Sequence, residues 1–376
     1  MDSVIIIVSA YKPNTAPTNR LLSFLSGFDE LGVKVDVVFL YPNEKREELD
    51  DSVYDNITAY HLWKQCHSRS KLMKYICSFV DASRFAKRLA PHSKVLLMGA
   101  SEYLPIFASR SDISVYQERT EHYNIAKVRP AFLQNRYLKF IPKLCGMFVI
   151  STALKDAFVG IGARNVTVVN MIVDANRFYG LKKTGRKDKY IAYCGTASNN
   201  KDGVDDLIKA FSIVHSLHPE IKLYIMGKAP TKEDSAGNLA LVESLGLSSS
   251  VVFTGIIPAD EMPQMLVNAN VVALARPDSL QARCGFPTKL GEYLLSGNPV
   301  VVTRVGDIPA FLQDGKTALL AEQCNPESFA NRLLWALDNE IEAKVIGKEG
   351  REVALRCFNY KTETEKIVRT IFTEKA

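Results

Sequence analysis

The sequence is poor in the features that would tie it to nucleic acid, to a disulfide scaffold or to the interior of a membrane. It has no long basic block, and its formal net charge of +6 is mild. That charge suits phosphorylated ligands or an anionic membrane surface and does not call for nucleic acid. The seven cysteines form an odd set, scattered from Cys66 to Cys357 without a C-x-x-C pair, which argues for reduced thiols in a cytosolic protein. Nowhere is there a run of about 18 apolar residues, the length a spanning helix needs. No stretch reads as a clear basic amphipathic helix. Met1-Asp2-Ser3-Val4 leads straight into an apolar strand without a basic region, and is expected not to be a signal peptide.

At 376 residues the chain exceeds what one core usually supports, so two domains of roughly 170 to 200 residues are the natural division. With 47% hydrophobic and 23% charged residues it is globular. Val4 to Val8 is a continuous β-branched run, as expected of a strand buried on both faces of a parallel sheet. A turn-rich loop, Lys12 to Arg20, and a helical pattern, Leu21 to Leu31, follow it. Gly32 then precedes a second strand reaching Leu40. Strands expected at Ile57–Leu62, Val95–Met98, Ile113–Tyr116, Met147–Ile150 and Val166–Val169 alternate with helical stretches near Leu72–Leu89, Ala131–Phe140 and Ala153–Val159. This alternation is that of a doubly wound α/β domain. An irregular basic segment runs to Lys189, a new sheet opens at Tyr190, and the pattern repeats through Ile221–Met226, Val251–Thr254 and Val271–Ala275. The expectation is α/β, with two doubly wound Rossmann-like domains, and helices near Glu327–Leu337, Ala343–Arg356 and Thr362–Thr373 at the end.

Three stretches carry candidate chemistry. After a polar loop from Arg276 to Cys284, the run Gly285-Phe286-Pro287-Thr288-Lys289-Leu290-Gly291-Glu292-Tyr293-Leu294-Leu295 reads as a short helix leading to the strand Val300-Val301-Val302. Pro287 suits a first helical turn because its missing N–H would have no partner there. A helix N-terminus favours phosphate, and Lys289 adds a full positive charge. Glu292, on the same face as Thr288, offers a carboxylate to the two hydroxyls of a ribose. The alternative is an ordinary βα unit with Lys289 and Glu292 paired at the surface. The second stretch, Gly195 to Gly203, joins a strand to a helix. Its glycines permit close backbone approach, and Lys201 is either a ligand or a solvated lysine. In the third, Gln117 to Tyr123, more ionisable residues follow a strand than a turn needs. Glu121 first and Glu118 second are the candidate catalytic groups, a charged solvent loop is the alternative, and His122 is equally readable as a surface histidine.

Gly285-Phe286, Pro287, Glu292, Gly297 and Pro299-Val300-Val301 together resemble the signature of the retaining glycosyltransferases of family 4. The run from Phe286 to Leu294 looks like members that build bacterial surface polysaccharides. Val173-Asp174 before Arg177-Phe178 is similar to the family's interdomain segment. The resemblance implies the GT-B architecture of two domains facing each other: residues 1–172 on the acceptor side, with a terminal helix at 358–376 packing back on them, and 173–357 binding a nucleoside-diphosphate sugar. It implies donor-binding roles for Gly195, Thr196, Lys201, Gly255, Ile256, Arg283, Cys284, Gly285, Phe286, Pro287, Thr288, Lys289 and Glu292, with Lys201 also assisting departure of the diphosphate.

Four positions differ from the family pattern. Cys284 stands where its first glutamate falls, and Thr196 where an arginine does, so Arg283 and Lys289 are the nearest cations to complete a diphosphate clamp. Ala16 and Pro17 replace loop glycines, leaving Asn19 and Arg20 as acceptor-side candidates, or else a capped helix start with a solvated Arg20. Phe253 to Pro258 resembles the nucleobase site, read mainly through backbone. The chain has no Asp-x-Asp, so no metal and no cofactor are expected, the nucleotide sugar being a substrate. The acceptor implied is a glycan or lipid-linked oligosaccharide at the cytoplasmic face of the membrane, with peripheral contact. A nucleotide-sugar epimerase of the same fold, or an inactive sugar-nucleotide-binding protein, are the other readings.

Overall fold

The computed structural model describes residues 2–13, 15–66, 68, 70–128, 131–185 and 188–373. Asn14 of the first loop and Arg186 and Lys187 of the basic segment lie outside them. The chain divides into two compact units, Met1–Asn170 with Tyr360–Ala376, and Met171–Asn359.

In the first unit, strands β1 (Ser3–Val8), β2 (Lys34–Phe39), β3 (Ile57–His61), β4 (Lys94–Met98), β5 (Ser114–Arg119), β6 (Gly146–Val149) and β7 (Val166–Val168) form a sheet of order β3-β2-β1-β4-β5-β6-β7. In the second, β8 (Lys189–Cys194), β9 (Ile221–Met226), β10 (Val251–Gly255), β11 (Val271–Leu274), β12 (Val300–Thr303) and β13 (Leu319–Ala321) form a sheet of order β10-β9-β8-β11-β12-β13. All of these pairings are parallel. The apolar runs explain why: Ile6, Ile7, Val272, Ala273, Val301 and Val302 are fully buried, as strands covered by helices on both faces require. Each such Val, Leu or Ile contributes roughly 1.5–3 kcal/mol of burial. Strand order reverses between β1 and β4 and between β8 and β11, and these reversals open the crevices where such sheets bind ligands, at the strands' carboxyl ends.

Four boundaries differ from the sequence-based expectation. The helix after β1 begins at Ala16, not Leu21, with Pro17 in its first turn, so Asn19 and Arg20 are helical. β5 runs on to Arg119, because Gln117, Glu118 and Arg119 are buried and paired rather than solvated. The loop before Gly285 contains a five-residue helix, Leu280–Cys284, started by the Ser279 hydroxyl accepting from the Ala282 N–H. Pro287 lies one residue ahead of the helix Thr288–Leu295, in extended conformation.

Candidate active site

The second unit's strand reversal is built around Lys289. Its ammonium donates to an Asp202 carboxylate oxygen at 2.5 Å and to the Tyr193 hydroxyl at 3.1 Å, within a nearly closed setting. Local sequence places each partner. Tyr193 is in β8. Asp202 ends a four-residue helix, Asn199–Asp202, capped by the Ser198 side chain and stopped by Gly203. Tyr293 fixes the helix carrying Lys289, since its hydroxyl accepts from the Cys194 N–H at 2.6 Å and donates to the Cys194 carbonyl at 2.8 Å. Burial pulls the Lys289 pKa below its ordinary value, the Asp202 charge opposes that, and buried Arg276 adds to the lowering. Two cations, Lys289 and Arg276, therefore sit behind the carboxyl ends of β8 and β11.

Gly195, with φ +143°, lies under Lys289, and a Cβ there would come within 2.1 Å of the lysine nitrogen. Gly227, after β9, lies against Gly195, and its Cβ would meet the Gly195 carbonyl at 2.0 Å. Backbone thus takes the place of side chains across the crevice. A cavity of about 520 Å³ is lined by Ala197, Gly227, Phe253, Gly255 and, on the helix Lys232–Ser244, Asn238. Gly227 and Gly255 are tied by a Gly227 N–H donating to the Gly255 carbonyl at 2.8 Å.

Glu292 does not pair with Lys289. It accepts from the Arg177 guanidinium, which also donates to the Ala259 carbonyl, and burial pushes the Glu292 pKa up. The surface Lys289–Glu292 pair weighed from the sequence is replaced by two pairs with partners far along the chain, Lys289–Asp202 nearly closed to solvent and Arg177–Glu292 part-exposed. Lys201 is half-buried on the four-residue helix, with its backbone N–H held by Ser198. Arg283 is at the surface, paired with Asp278 at 3.2 Å, and Thr196 and Ile256 are exposed. Cys284 and Phe286 are buried, the latter packed on Phe311 and Phe358. Loss of solvent raises the Cys284 thiol pKa. All seven cysteines are free thiols.

In the first unit, Arg20 is not solvated. It is buried, with Nε donating to Glu118 at 2.8 Å and the other two nitrogens donating to the carbonyls of Asn170 and Val169 at 2.7 and 3.0 Å. Glu118, a catalytic candidate, is engaged by this pair, while Glu121 lies just past β5, half-buried. Asn19 is exposed. Gln117 and Arg119 brace β5 by donating to the Ser101 hydroxyl. Of the two readings left open for His122, the surface one falls: it is buried. Its Nδ1 accepts from the Asn124 N–H at 3.1 Å, and burial, then Arg119, lower its pKa.

Sequence reasoning missed Asp202, Tyr193, Arg177, Arg276, Asn238 and Glu102. Glu102 accepts from Ser9 at 2.9 Å across the β1–β4 reversal and has its pKa raised by burial. Only the position of Arg276, directly after a strand, could have marked it. Among the described residues no group of three His, Cys, Asp or Glu could hold a metal ion, and no described helix is long and apolar enough to cross a membrane.

Residues 188–339 match the family described as Glycosyl transferases group 1. The chain is 22% identical over 359 residues to mannosylfructose-phosphate synthase of Agrobacterium fabrum, covering 89% of this chain and 76% of that protein. It is 26% identical to a GDP-mannose-dependent phosphatidylinositol monomannoside mannosyltransferase of Mycolicibacterium smegmatis, over half of each chain. The Anabaena protein HepE, solved with UDP and glucose, superimposes over the full length of both chains with a TM-score of 0.76 at 16% identity. The chain is a glycosyltransferase with two Rossmann-like domains of GT-B type, its residues 188–339 matching glycosyl transferases group 1.

Proposed function

We propose that the protein moves a hexose-type sugar from a nucleoside-diphosphate sugar to a hydroxyl of a glycan or lipid-linked glycan, with retention and without a metal, as family 4 enzymes do. The observation carrying this reading is the Lys289 ammonium, held over side-chain-free Gly195 at a strand reversal, beside a cavity large enough for a nucleoside. In this reading the diphosphate lies at Gly195 and Lys289, with Lys201 at its edge, and Glu292 and Arg177 meet the ribose. The anomeric C–O bond breaks and the electron pair leaves on the diphosphate. Lys289 and nearby N–H groups stabilise that charge. The acceptor oxygen bonds to the anomeric carbon on the face the diphosphate leaves, and its proton passes to the departing phosphate oxygen. The first unit takes the acceptor, with Glu121 as its candidate polar group and Arg20–Glu118 holding the wall behind it. Relatives named for mannosyl transfer and a neighbour solved with UDP and glucose support the substrate class.

A membrane-borne acceptor has support that the sequence did not reveal. The helix Lys71–Arg88 exposes Leu72, Met73, Ile76 and Val80 beside Lys71, Arg84, Lys87 and Arg88, a combination suited to an anionic lipid surface. Sedimentation with phosphatidylglycerol vesicles tests it, and recovery wholly in the supernatant would remove the membrane from the reading.

The deciding experiment is a thermal-shift screen of nucleotide sugars followed by product analysis with excess chelator. A donor that binds only the folded protein must raise its melting temperature. Transfer or slow hydrolysis in chelator is expected. An isomerised nucleotide sugar would indicate an epimerase, binding without turnover an inactive protein, and activity restored only by magnesium a metal-dependent reaction.

A further inference from the structure

The helix Lys232–Ser244 turns only Asn238 and Val242 inward. Val242 does what an inward position ordinarily does. Asn238 does not: it is 1% exposed, and neither its amide oxygen nor its amide nitrogen has a partner among the described residues. A buried amide left this way weakens the fold, and an apolar side chain of similar size would strengthen it. Such a group needs a reason, and its surroundings supply one. Asn238 lines the 520 Å³ cavity together with Ala197, Gly227, Ser235, Phe253 and Gly255. Gly227, on the wall of that cavity, lies against Gly195 beneath Lys289. The Lys289 cation stands past Gly227 and Gly195, while the unmet amide and the Phe253 ring belong to the cavity wall. This is the polarity of a nucleotide, with phosphates outward and the base inward.

We infer that the Asn238 side-chain amide reads the hydrogen-bonding edge of the donor's nucleobase, presenting N–H and C=O side by side to a base edge that offers an acceptor next to a donor, as uracil, guanine and adenine each do in a different place. The inference rests on the nucleotide-sugar reading and adds to it. Recognition mainly through backbone was expected from the sequence; a side-chain amide adds a pair of hydrogen bonds whose loss strands polar groups on both sides.

The test is calorimetry of the full chain with UDP, GDP and ADP, and with inorganic pyrophosphate. Wild-type protein is expected to bind one of UDP, GDP and ADP at least about tenfold more tightly than the other two, the winner naming the base. Asn238→Leu is expected to weaken binding of that nucleotide about tenfold and to level the preference, with pyrophosphate binding unchanged. Its ligand-free melting temperature should rise by about 2 °C, since an unmet amide is gone. A purely structural Asn238 would not give this opposition of lower affinity and higher stability. Asn238→Asp keeps the acceptor and loses the donor, so it should also lose preference; it carries the test if Asn238→Leu does not melt cooperatively. Unchanged affinity and rank order in both variants would overturn the role of Asn238 alone. Failure of wild-type protein to bind any of the three nucleotides would overturn the donor reading beneath it.

Discussion

Each unit buries an ion pair near the carboxyl edge of its sheet, and the two pairs differ in what they leave over. In the first, all three nitrogens of the Arg20 guanidinium are engaged, by Glu118 and by two carbonyls. In the second, Lys289 meets one oxygen of Asp202, while the other, Oδ1, is buried without a partner among the described residues. A saturated pair has nothing to offer a ligand and serves to lock β5 and the chain at Val169–Asn170 to the first helix. In the second pair Asp202 and the Tyr193 hydroxyl take two of the three Lys289 N–H groups, so at a crevice lined by glycine the ammonium keeps a donor for an anion. The carboxylate keeps a proton on a lysine that burial would otherwise strip.

The largest effect should come from breaking the saturated pair. Arg20→Met strands a buried carboxylate, and a loss of about 3–5 kcal/mol in unfolding free energy is expected. Arg20→Met with Glu118→Leu should regain most of it. Denaturant titration gives both numbers, and a loss below about 1 kcal/mol for the single variant would contradict the locking role. Nucleotide affinity should stay at the wild-type level in the double variant.

The second pair should respond in the opposite currency of observables. Lys289→Met alone would strand Asp202, so the informative variant is Lys289→Met with Asp202→Asn. It is expected to lower kcat/KM by about 10²–10³, the size seen when one charge-stabilising donor is lost, while the melting temperature moves little. Wild-type kcat/KM in that variant would exclude Lys289 from the chemistry.

The pH dependence sharpens the point. Lys289 is charged below its pKa, and burial sets that pKa under the ordinary 10.5. As pH rises, activity should therefore fall earlier than loss of an ordinary lysine proton would allow. Asp202→Asn removes the influence that raises this pKa, so the alkaline limb should move to still lower pH; Lys289→Arg should remove the limb. A limb unmoved by Asp202→Asn would mean that another group titrates.

A smaller effect is expected at Glu292. Removing its charge with Glu292→Gln should weaken nucleoside diphosphate binding about tenfold, one hydrogen bond's worth, and leave pyrophosphate binding unchanged. Equal losses for both ligands would place Glu292 at the phosphates rather than the ribose.

Much of this was legible in the sequence. Two parallel sheets follow from β-branched runs such as Val4–Val8 and Val300–Val302, because a strand buried on both faces has no polar side to write. Lys289 and Glu292 were legible from their spacing with Pro287. Their partners were not: Asp202 and Arg177 lie 87 and 115 residues away, and no local pattern reports a long-range ion pair. The extent of β5 was misread because Gln117, Glu118 and Arg119 are polar, and polar residues at a strand end look solvated until partners such as Ser101 and Arg20 are in place. Asn238 was invisible for the opposite reason. It sits on a helix whose other faces are exposed, and one asparagine there reads as surface.

The weakest effect belongs to Arg283, which sequence spacing offered as a second phosphate cation. It lies on the five-residue helix Leu280–Cys284, more than half exposed and paired with an equally open Asp278 at 3.2 Å. An ion pair of this kind is worth about 0–1 kcal/mol because water screens it and two long side chains lose freedom in making it. Arg276, only seven positions earlier, is buried and acts electrostatically on Lys289, so the crevice already has a second cation. Arg283→Gln should then change kcat/KM by less than about threefold and stability by less than about 1 kcal/mol. A loss approaching that of the Lys289 double variant would show that the arginine leaves Asp278 for the diphosphate when donor binds, and the contrast between a buried reserve of charge and a solvated one would have to be redrawn.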